Sequence, residues 1–241
     1  MRLYGGCVVF DFLYGTGVLR TGTAVDGRQG ENVEKTEKIE KAEKTGMDRL
    51  EQQMRFILEA DKLKQITRQS YILGAGRKET DTDHSWHLAL MCALLSEYAN
   101  EKIDVAKTMV MVLIHDIVEI DAGDTYAYDT EGNKTKRERE VRAAERIFGI
   151  LPEDQARYLR ELWEEFEAME TPEARFANTL DKVQPIMLND ATGGLAWREH
   201  QVKEAQIMER NARTGEGSEP IWEYAKGLIQ RNLGTNIQTE R

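Results

Sequence analysis

Residues 104–119, DVAKTMVMVLIHDIVE, form the most apolar long stretch of the chain. The length of this stretch and its lack of glycine and proline predict a helix that is buried on most of its sides. His115 and Asp116 lie near its end, where burying an unpartnered carboxylate would cost on the order of several kcal/mol. A bound divalent cation would offset this cost, and so would a structural His–Asp pair bonded to the backbone. The dipeptide alone leaves both interpretations open.

Helical periodicity continues on both sides of this stretch. Apolar residues recur at the spacing of one helix face, Pro172 suits a first helical turn, and Pro185 predicts a kink. The predicted helices lie near residues 48–58, 83–99, 104–119, 135–148, 153–166, 172–187, 197–212 and 220–232. Because no alternating strand pattern competes anywhere in residues 47–241, we predict an all-α fold.

The first 46 residues differ from the rest in composition. Residues 1–30 carry many glycines without sustained periodicity, and residues 31–46, ENVEKTEKIEKAEKTG, are a Glu/Lys run typical of a solvated helix or linker. We therefore predict a flexible N-terminal extension over 1–46 and one domain over 47–241. The motif core of that domain is expected at about 50–210, with C-terminal helices to 233.

Charge and cysteine content exclude several classes of protein. Cys7 and Cys92 are the two cysteines, too few for a disulfide framework and compatible with a reducing cytosol. No stretch reaches the apolar length of a membrane span, and polar residues and glycines interrupt the apolar start. We therefore expect a cytoplasmic protein without a membrane partner. The net charge of −10 disfavours stable nucleic-acid binding, but a few local cations or a metal could still hold a small phosphorylated ligand.

Two further polar residues lie in apolar surroundings. His84 belongs to the first turn of a predicted helix, after Asp81 and Asp83 as candidate caps. Asp181 lies in the middle of another helix, where aspartate is a poor helix former. Together with the His–Asp pair they offer two imidazoles and two carboxylates. This mixed set suits one divalent ion such as Mn²⁺, Co²⁺, Fe²⁺ or Zn²⁺ with open water positions.

These four residues resemble the metal motif of the HD-domain phosphohydrolase superfamily. Three stretches are similar to one branch of it, the bacterial 5′-deoxynucleotidases and their eukaryotic HD-domain-containing relatives. The stretches are Arg77-x-Glu79 with Asp83-His84-Ser85-Trp86, His115-Asp116-x-x-Glu119 with Gly123-Asp124, and Leu180-Asp181-Lys182. The resemblance covers roughly residues 50–210. It implies an HD-domain helical bundle with a metal site between helices, formed by His84, His115, Asp116 and Asp181. A homodimer is a further family-level expectation.

The same resemblance implies catalytic roles for two acidic residues. Glu119 and Asp124 match residues placed to handle the attacking water or the proton of the leaving group. Glu119 follows His115 by four residues, so both side chains are expected on one helix face. Arg68 resembles the arginine that contacts the substrate phosphate.

The remaining substrate contacts are less specific. In the family, an aromatic residue helps to hold the nucleoside. Gln69 and Tyr71 both lie near the corresponding position, and we predict Tyr71 as its counterpart. Arg77 is a further candidate for substrate binding, although Arg77 and Glu79 could equally form a loop ion pair worth little.

The chain departs from the family pattern at two positions. Asp83 replaces the glutamate that usually precedes the ligand histidine, and it suits helix capping as well as an outer role beside the metal. His87 is an additional histidine one turn after His84; a satisfied helix residue is the simpler interpretation, and the sequence does not decide it.

The resemblance therefore predicts a metal-dependent phosphomonoester hydrolase. Its substrates would be (deoxy)nucleoside 5′-monophosphates, converted to nucleoside and phosphate. Hydrolysis of nucleoside triphosphates or phosphodiesters uses the same metal set and is the nearest alternative. A non-catalytic regulatory domain that binds the metal for folding is a second alternative, although such a domain needs none of Glu119, Asp124 and Arg68.

Overall fold

The computed structural model describes residues 48–124 and 130–234, so the predicted N-terminal extension lies outside the described residues. The described chain is helical apart from one small hairpin, and the prediction of an all-α fold is confirmed. The helices are α1 (48–60), α2 (Asp81–Leu95), α3 (Val105–Ile114), α4 (Glu119–Ala122), α5 (Thr130–Phe148), α6 (Glu153–Ala168), α7 (Pro172–Ala191), α8 (Leu195–Glu199), α9 (Glu204–Arg210) and α10 (Glu219–Gly234). None of them is long and apolar enough to cross a membrane.

Helix α7 is the centre of the bundle and packs against α2, α3, α6 and α10. Thr171 caps it by accepting a hydrogen bond from the Ala174 amide, and Pro172 occupies its first turn as predicted. Apolar side chains of α7 such as Phe176, Leu180 and Val183 are buried in the main core. A second apolar cluster joins the end of α3 to α5 and α6 around Trp163. Polar residues of α7 are thus held at fixed positions inside the bundle.

The prediction of one continuous helix over residues 104–119 is wrong. Helix α3 ends at Ile114, a turn covers 115–118, and α4 begins at Glu119. The ring Nδ1 of His115 donates to the Val112 carbonyl at 2.8 Å, so the side chain takes an acceptor that the helix would otherwise use. The turn continues with i→i−3 bonds, including Ile117 N–H to Ile114 O at 3.1 Å. His115 and Glu119 therefore do not share one regular helix face.

A short antiparallel hairpin went unrecognised in the sequence. Strand β1 (Thr67–Tyr71) pairs with β2 (Lys78–Thr80), with Thr67 opposite Thr80 and Tyr71 opposite Lys78. The strand TRQSY is mostly polar, so it lacks the apolar alternation that would have indicated a strand. The hairpin places Arg68 next to the start of α2.

The predicted helix near 197–212 is two helices, α8 and α9. Gln201 has a positive φ of 53° between them, a left-handed conformation that ends a helix. The apolar face of α10 packs in the main core of its own chain and is therefore not exposed as a dimer surface; its buried residues are Ile221, Ala225, Leu228 and Ile229. The homodimer stays a prediction without support from that face.

Candidate active site

Three predicted ligand residues converge from three different helices. His84 lies on α2, His115 caps the end of α3, and Asp181 lies on α7. Each offers one atom to a cluster whose members all lie within 4.8 Å of one another. His84 Nε2 is 3.0 Å from Asp181 Oδ1, and His115 Nε2 is 3.7 Å from the same oxygen. Both imidazoles are buried, so this cluster is a preformed internal site.

Hydrogen bonds on the far side of each ring fix which nitrogen faces the cluster. The Nδ1–H of His115 donates to the Val112 carbonyl, and the Nδ1–H of His84 donates to Gln184 Oε1 at 3.0 Å. In the neutral rings, the Nε2 lone pairs then point toward Asp181. Lone pairs and a carboxylate oxygen repel one another unless a cation or a proton lies among them. This donor set fits a divalent metal ion.

The pKa of His115 also indicates that the cluster favours a positive charge. Its Nε2 is buried and lacks a hydrogen-bond partner among the described residues, although Asp116 Oδ2 lies 3.1 Å away. Burial lowers the pKa of His115, but the carboxylates of Asp116 and Asp181 outweigh it and raise that pKa to about 10. Burial lowers the pKa of His84.

Asp116 lies beside the three-residue cluster and is bound by Arg68. Arg68 Nη1 is 2.5 Å from Asp116 Oδ2 and 3.2 Å from Asp81 Oδ1, and its Nη2 is 3.9 Å from Asp181 Oδ1. Asp81, a candidate cap in the sequence, is instead fully buried, and its burial raises its pKa. Arg68 thus brings a positive charge to three carboxylates of the site.

A buried network behind His84 was not recognised in the sequence. Gln184 is fully buried on α7; its Oε1 accepts from His84, and its Nε2 donates to Glu79 Oε1 at 2.5 Å. The same Nε2 lies 3.2 Å from His87 Nδ1, so His87 contacts Gln184 and not the cluster. Burial raises the pKa of Glu79 to about 7. One signal was available: Gln184 is a polar residue one turn after Asp181 on a helix face that carries Leu180.

Arg77, Asp83 and Tyr71 form their contacts outside the His84–His115–Asp181 cluster. Arg77 Nη1 donates to Asp83 Oδ2 at 2.6 Å, so the alternative ion pair with Glu79 does not form. Asp83 forms a capping box with Thr80 at the start of α2, which confirms the capping role of Asp83. Tyr71 donates its hydroxyl to Glu199 Oε2 at 3.1 Å.

A polar cavity of about 170 Å³ adjoins the cluster and holds both predicted acid–base residues. Its lining includes Glu119 and Asp124 beside His115 and Asp181. We name it the catalytic cavity. Glu119 is 3% exposed, and its Oε2 lacks a hydrogen-bond partner among the described residues. Burial raises the pKa of Glu119 to about 9, and the charge of Asp116 adds to this, while Lys136 opposes it.

Lys136 is a further polar residue of the catalytic cavity that sequence reasoning missed. It comes from α5, and its Nζ lies 3.7 Å from Glu119 Oε1 and 2.7 Å from Glu140 Oε1. The sequence places it in a solvated charged helix, so nothing local distinguished it from its neighbours. Burial also raises the pKa of Asp124 and of Glu167, which leaves the cavity with three carboxyl groups that hold protons more tightly than usual.

A second cavity, of about 100 Å³, shares Arg68, Asp124 and Arg210 with the catalytic cavity. Gln69 is part of its lining, and Tyr71 is in the described lining of neither cavity. Arg77 is likewise absent from both linings. The structure therefore brings Arg68 to the centre of the site and places Tyr71 and Arg77 outside both cavities.

Comparison with known proteins links this arrangement to one family. A family model described as the HD domain matches residues 60–222. Among curated proteins, the chain is 29% identical to the 5′-deoxynucleotidase HDDC2 of Homo sapiens over 135 residues, which cover 56% of this chain and 65% of the relative. It is 30% identical to the protein of the same name from Xenopus laevis, covering 56% and 66%. The match thus spans just under two thirds of these relatives' length.

Two solved structures share the fold. A crystal structure of a predicted metal-dependent phosphohydrolase from Magnetospirillum magnetotacticum MS-1 has a TM-score of 0.74 and 46% sequence identity, and the match covers 77% of this chain and 93% of that one. A conserved hypothetical protein from Pyrococcus furiosus has a TM-score of 0.53 and 24% identity, covering 74% and 98%. The second similarity concerns the fold alone.

Proposed function

Because the chain belongs to the HD-domain family, we propose that it is a metal-dependent phosphohydrolase acting on (deoxy)nucleoside 5′-monophosphates. The convergence of His84, His115 and Asp181 on one point carries this proposal. With Asp116 they would hold one divalent ion, for which Mn²⁺, Co²⁺, Fe²⁺ and Zn²⁺ are the candidates. When bound, the ion would polarise a phosphate oxygen and lower the pKa of a water molecule. The similarity to 5′-deoxynucleotidases supports the nucleotide as substrate.

Arg68 is the residue we propose for the substrate phosphate. It lines both cavities, and it lies within 4.0 Å of carboxylate oxygens from Glu79, Asp81, Asp116 and Asp181. These carboxylates orient its guanidinium toward the site, and a planar guanidinium can bind a phosphate through two parallel hydrogen bonds. In a chain with a net charge of −10, this local cation offsets the repulsion that a phosphate would otherwise meet.

Glu119 is suited to transfer a proton at the 5′-oxygen or at the attacking water. Its pKa of about 9 keeps it protonated at neutral pH, and Lys136 lies close enough to stabilise the carboxylate once the proton leaves. A dication nearby would lower that pKa toward neutrality, where general acid–base catalysis is most effective. Asp124 lies in the same cavity and is the second candidate for this role.

Phosphate release from a panel of nucleotides tests this function. We expect the purified chain with Mn²⁺ or Co²⁺ to release phosphate from 5′-monophosphates faster than from triphosphates or a phosphodiester. For each base, the deoxyribonucleotide and the ribonucleotide should be compared. Nucleoside 3′-monophosphates serve as controls for the position of the phosphate on the sugar. If triphosphates or phosphodiesters are hydrolysed faster, they replace 5′-monophosphates as the proposed substrates. If no nucleotide is hydrolysed with any divalent ion, the result favours the non-catalytic regulatory alternative.

Gln184 gives a prediction about metal affinity. Replacing it with leucine should weaken divalent-ion binding roughly 10- to 100-fold, since outer-shell partners of ligand histidines typically have effects of that size. The physical reason is that His84 Nδ1 and Glu79 both lose their partner. Isothermal titration of the metal-free protein with Mn²⁺ or Co²⁺ measures the change.

Matched variants separate this role from a loss of folding. Gln184→Glu keeps the acceptor for His84 Nδ1 and should retain more metal affinity than Gln184→Leu, while Gln206→Leu on α9 should leave affinity unchanged. Equal affinity of folded Gln184→Leu and the unmodified chain would show that His84 is oriented without Gln184.

A further inference from the structure

The second cavity has a cationic side that the proposed reaction does not use. Lys182 follows Asp181 on α7 and lines this cavity but not the described part of the catalytic cavity. Arg210, at the end of α9, lines both. A ligand that contacts Lys182 therefore lies on the side of Arg68 away from the catalytic cavity.

Two amide side chains of this cavity, those of Asn189 and Asn211, are already engaged within the protein. Asn189 Nδ2 donates to the Pro185 carbonyl at 3.0 Å, and its Oδ1 accepts from the Trp197 amide at 3.3 Å. Asn211 Nδ2 donates to the Ile207 carbonyl at 2.8 Å, and its Oδ1 accepts from the Thr214 hydroxyl at 3.1 Å. These amides shape the wall and have little capacity left to recognise a ligand.

The two cations, in contrast, have their donors available. Within residues 48–124 and 130–234, the side chains of Lys182 and Arg210 form no hydrogen bond and no ion pair within 4.0 Å. The carboxylate beside Lys182, that of Asp181, is engaged with both histidines of the cluster. Lys182 is half-buried, and Arg210 lies near enough to repel its charge. Asp124 in the same lining and Glu216 nearby reduce the positive field of this wall but lie beyond ion-pair distance of both cations. Two neighbouring cations on one cavity wall whose donors are not engaged by a carboxylate favour a bound anion.

We propose that Lys182 and Arg210 bind a second phosphoryl group of the substrate in the second cavity. The proposal rests on the proposed function and extends it: the substrate is a nucleotide that carries another phosphoryl group away from the 5′-phosphate that is hydrolysed. Arg68 lies between the two positions because it lines both cavities. One side of the substrate then lies at the metal cluster and the other at the cationic wall.

Binding and turnover of two matched ligands test this subsite. The metal-loaded protein should bind a deoxynucleoside 3′,5′-bisphosphate about 10- to 100-fold more tightly than the corresponding 5′-monophosphate, as expected for charge-assisted hydrogen bonds. Lys182→Gln should remove most of this preference through a higher KM for the bisphosphate and leave the monophosphate within about threefold. Lys102→Gln, which changes an exposed lysine outside both cavities, should keep the full preference.

Isothermal titration makes the outcome independent of catalysis. If neither ligand is hydrolysed but the bisphosphate still binds more tightly in a Lys182-dependent way, the proposed function fails and the subsite stands. Equal affinity of the unmodified protein for both ligands would overturn the subsite. If Lys182→Gln weakens the binding of both ligands equally, Lys182 contacts the 5′-phosphate, and the proposed subsite is overturned as well. Should Lys182→Gln not fold, Lys182→Met, which keeps the length of the half-buried side chain without its charge, gives the same comparison.

Discussion

Replacing His115 with alanine should remove the divalent ion from the purified protein and abolish phosphate release. His115 supplies an Nε2 that has no other hydrogen-bond partner among the described residues, and Asp181 supplies the oxygen that both histidines face. Loss of a direct ligand should weaken metal binding by more than the roughly 10- to 100-fold typical of an outer-shell partner. Asp181→Asn should have the same effect, since its oxygen no longer carries the charge that attracts the cation.

Metal analysis and thermal unfolding measure this prediction. Added Mn²⁺ or Co²⁺ should raise the Tm of the unmodified protein, by the linkage between binding and folding, and should leave the Tm of both variants unchanged. Asp190→Asn is the matched control on α7, because Asp190 pairs with Arg231 away from the cluster, and it should keep its metal. Full metal occupancy in folded His115→Ala and Asp181→Asn proteins would remove these residues from the ligand set.

Replacing Glu119 with glutamine should separate turnover from metal binding. Glutamine keeps the shape of the side chain but cannot donate or accept the proton in the same way. We expect kcat to fall about 10²- to 10⁴-fold, the usual contribution of a general acid or base. The metal should remain, since Glu119 is not one of the three residues that converge within 4.8 Å.

Steady-state kinetics and metal analysis on the same preparations decide the role of Glu119. Glu145→Gln, which changes an exposed glutamate of α5, should behave like the unmodified protein. Loss of metal in Glu119→Gln would reassign Glu119 as a ligand. Unchanged kcat would transfer the acid–base role to Asp124, which lines the same cavity.

The sequence alone was sufficient for the fold class and for the polar residues that converge. Helical periodicity is a local property, and it predicted α6, α7 and α10 near their observed positions. A histidine or carboxylate inside an apolar stretch is also visible locally, because its burial requires a partner. That reasoning identified His84, His115 and Asp181, which the structure places together.

Tertiary structure decided where helices break and which side chains complete the site. The helix over 104–119 breaks because the His115 ring bonds the Val112 carbonyl, a competition that periodicity does not show. Gln184 and Glu79 meet across 105 residues of chain, and Lys136 reaches Glu119 from a helix that looks like a solvated surface. These roles arise from hydrogen bonds and charges between distant segments. Local sequence patterns contain the residues but not the packing that makes them neighbours.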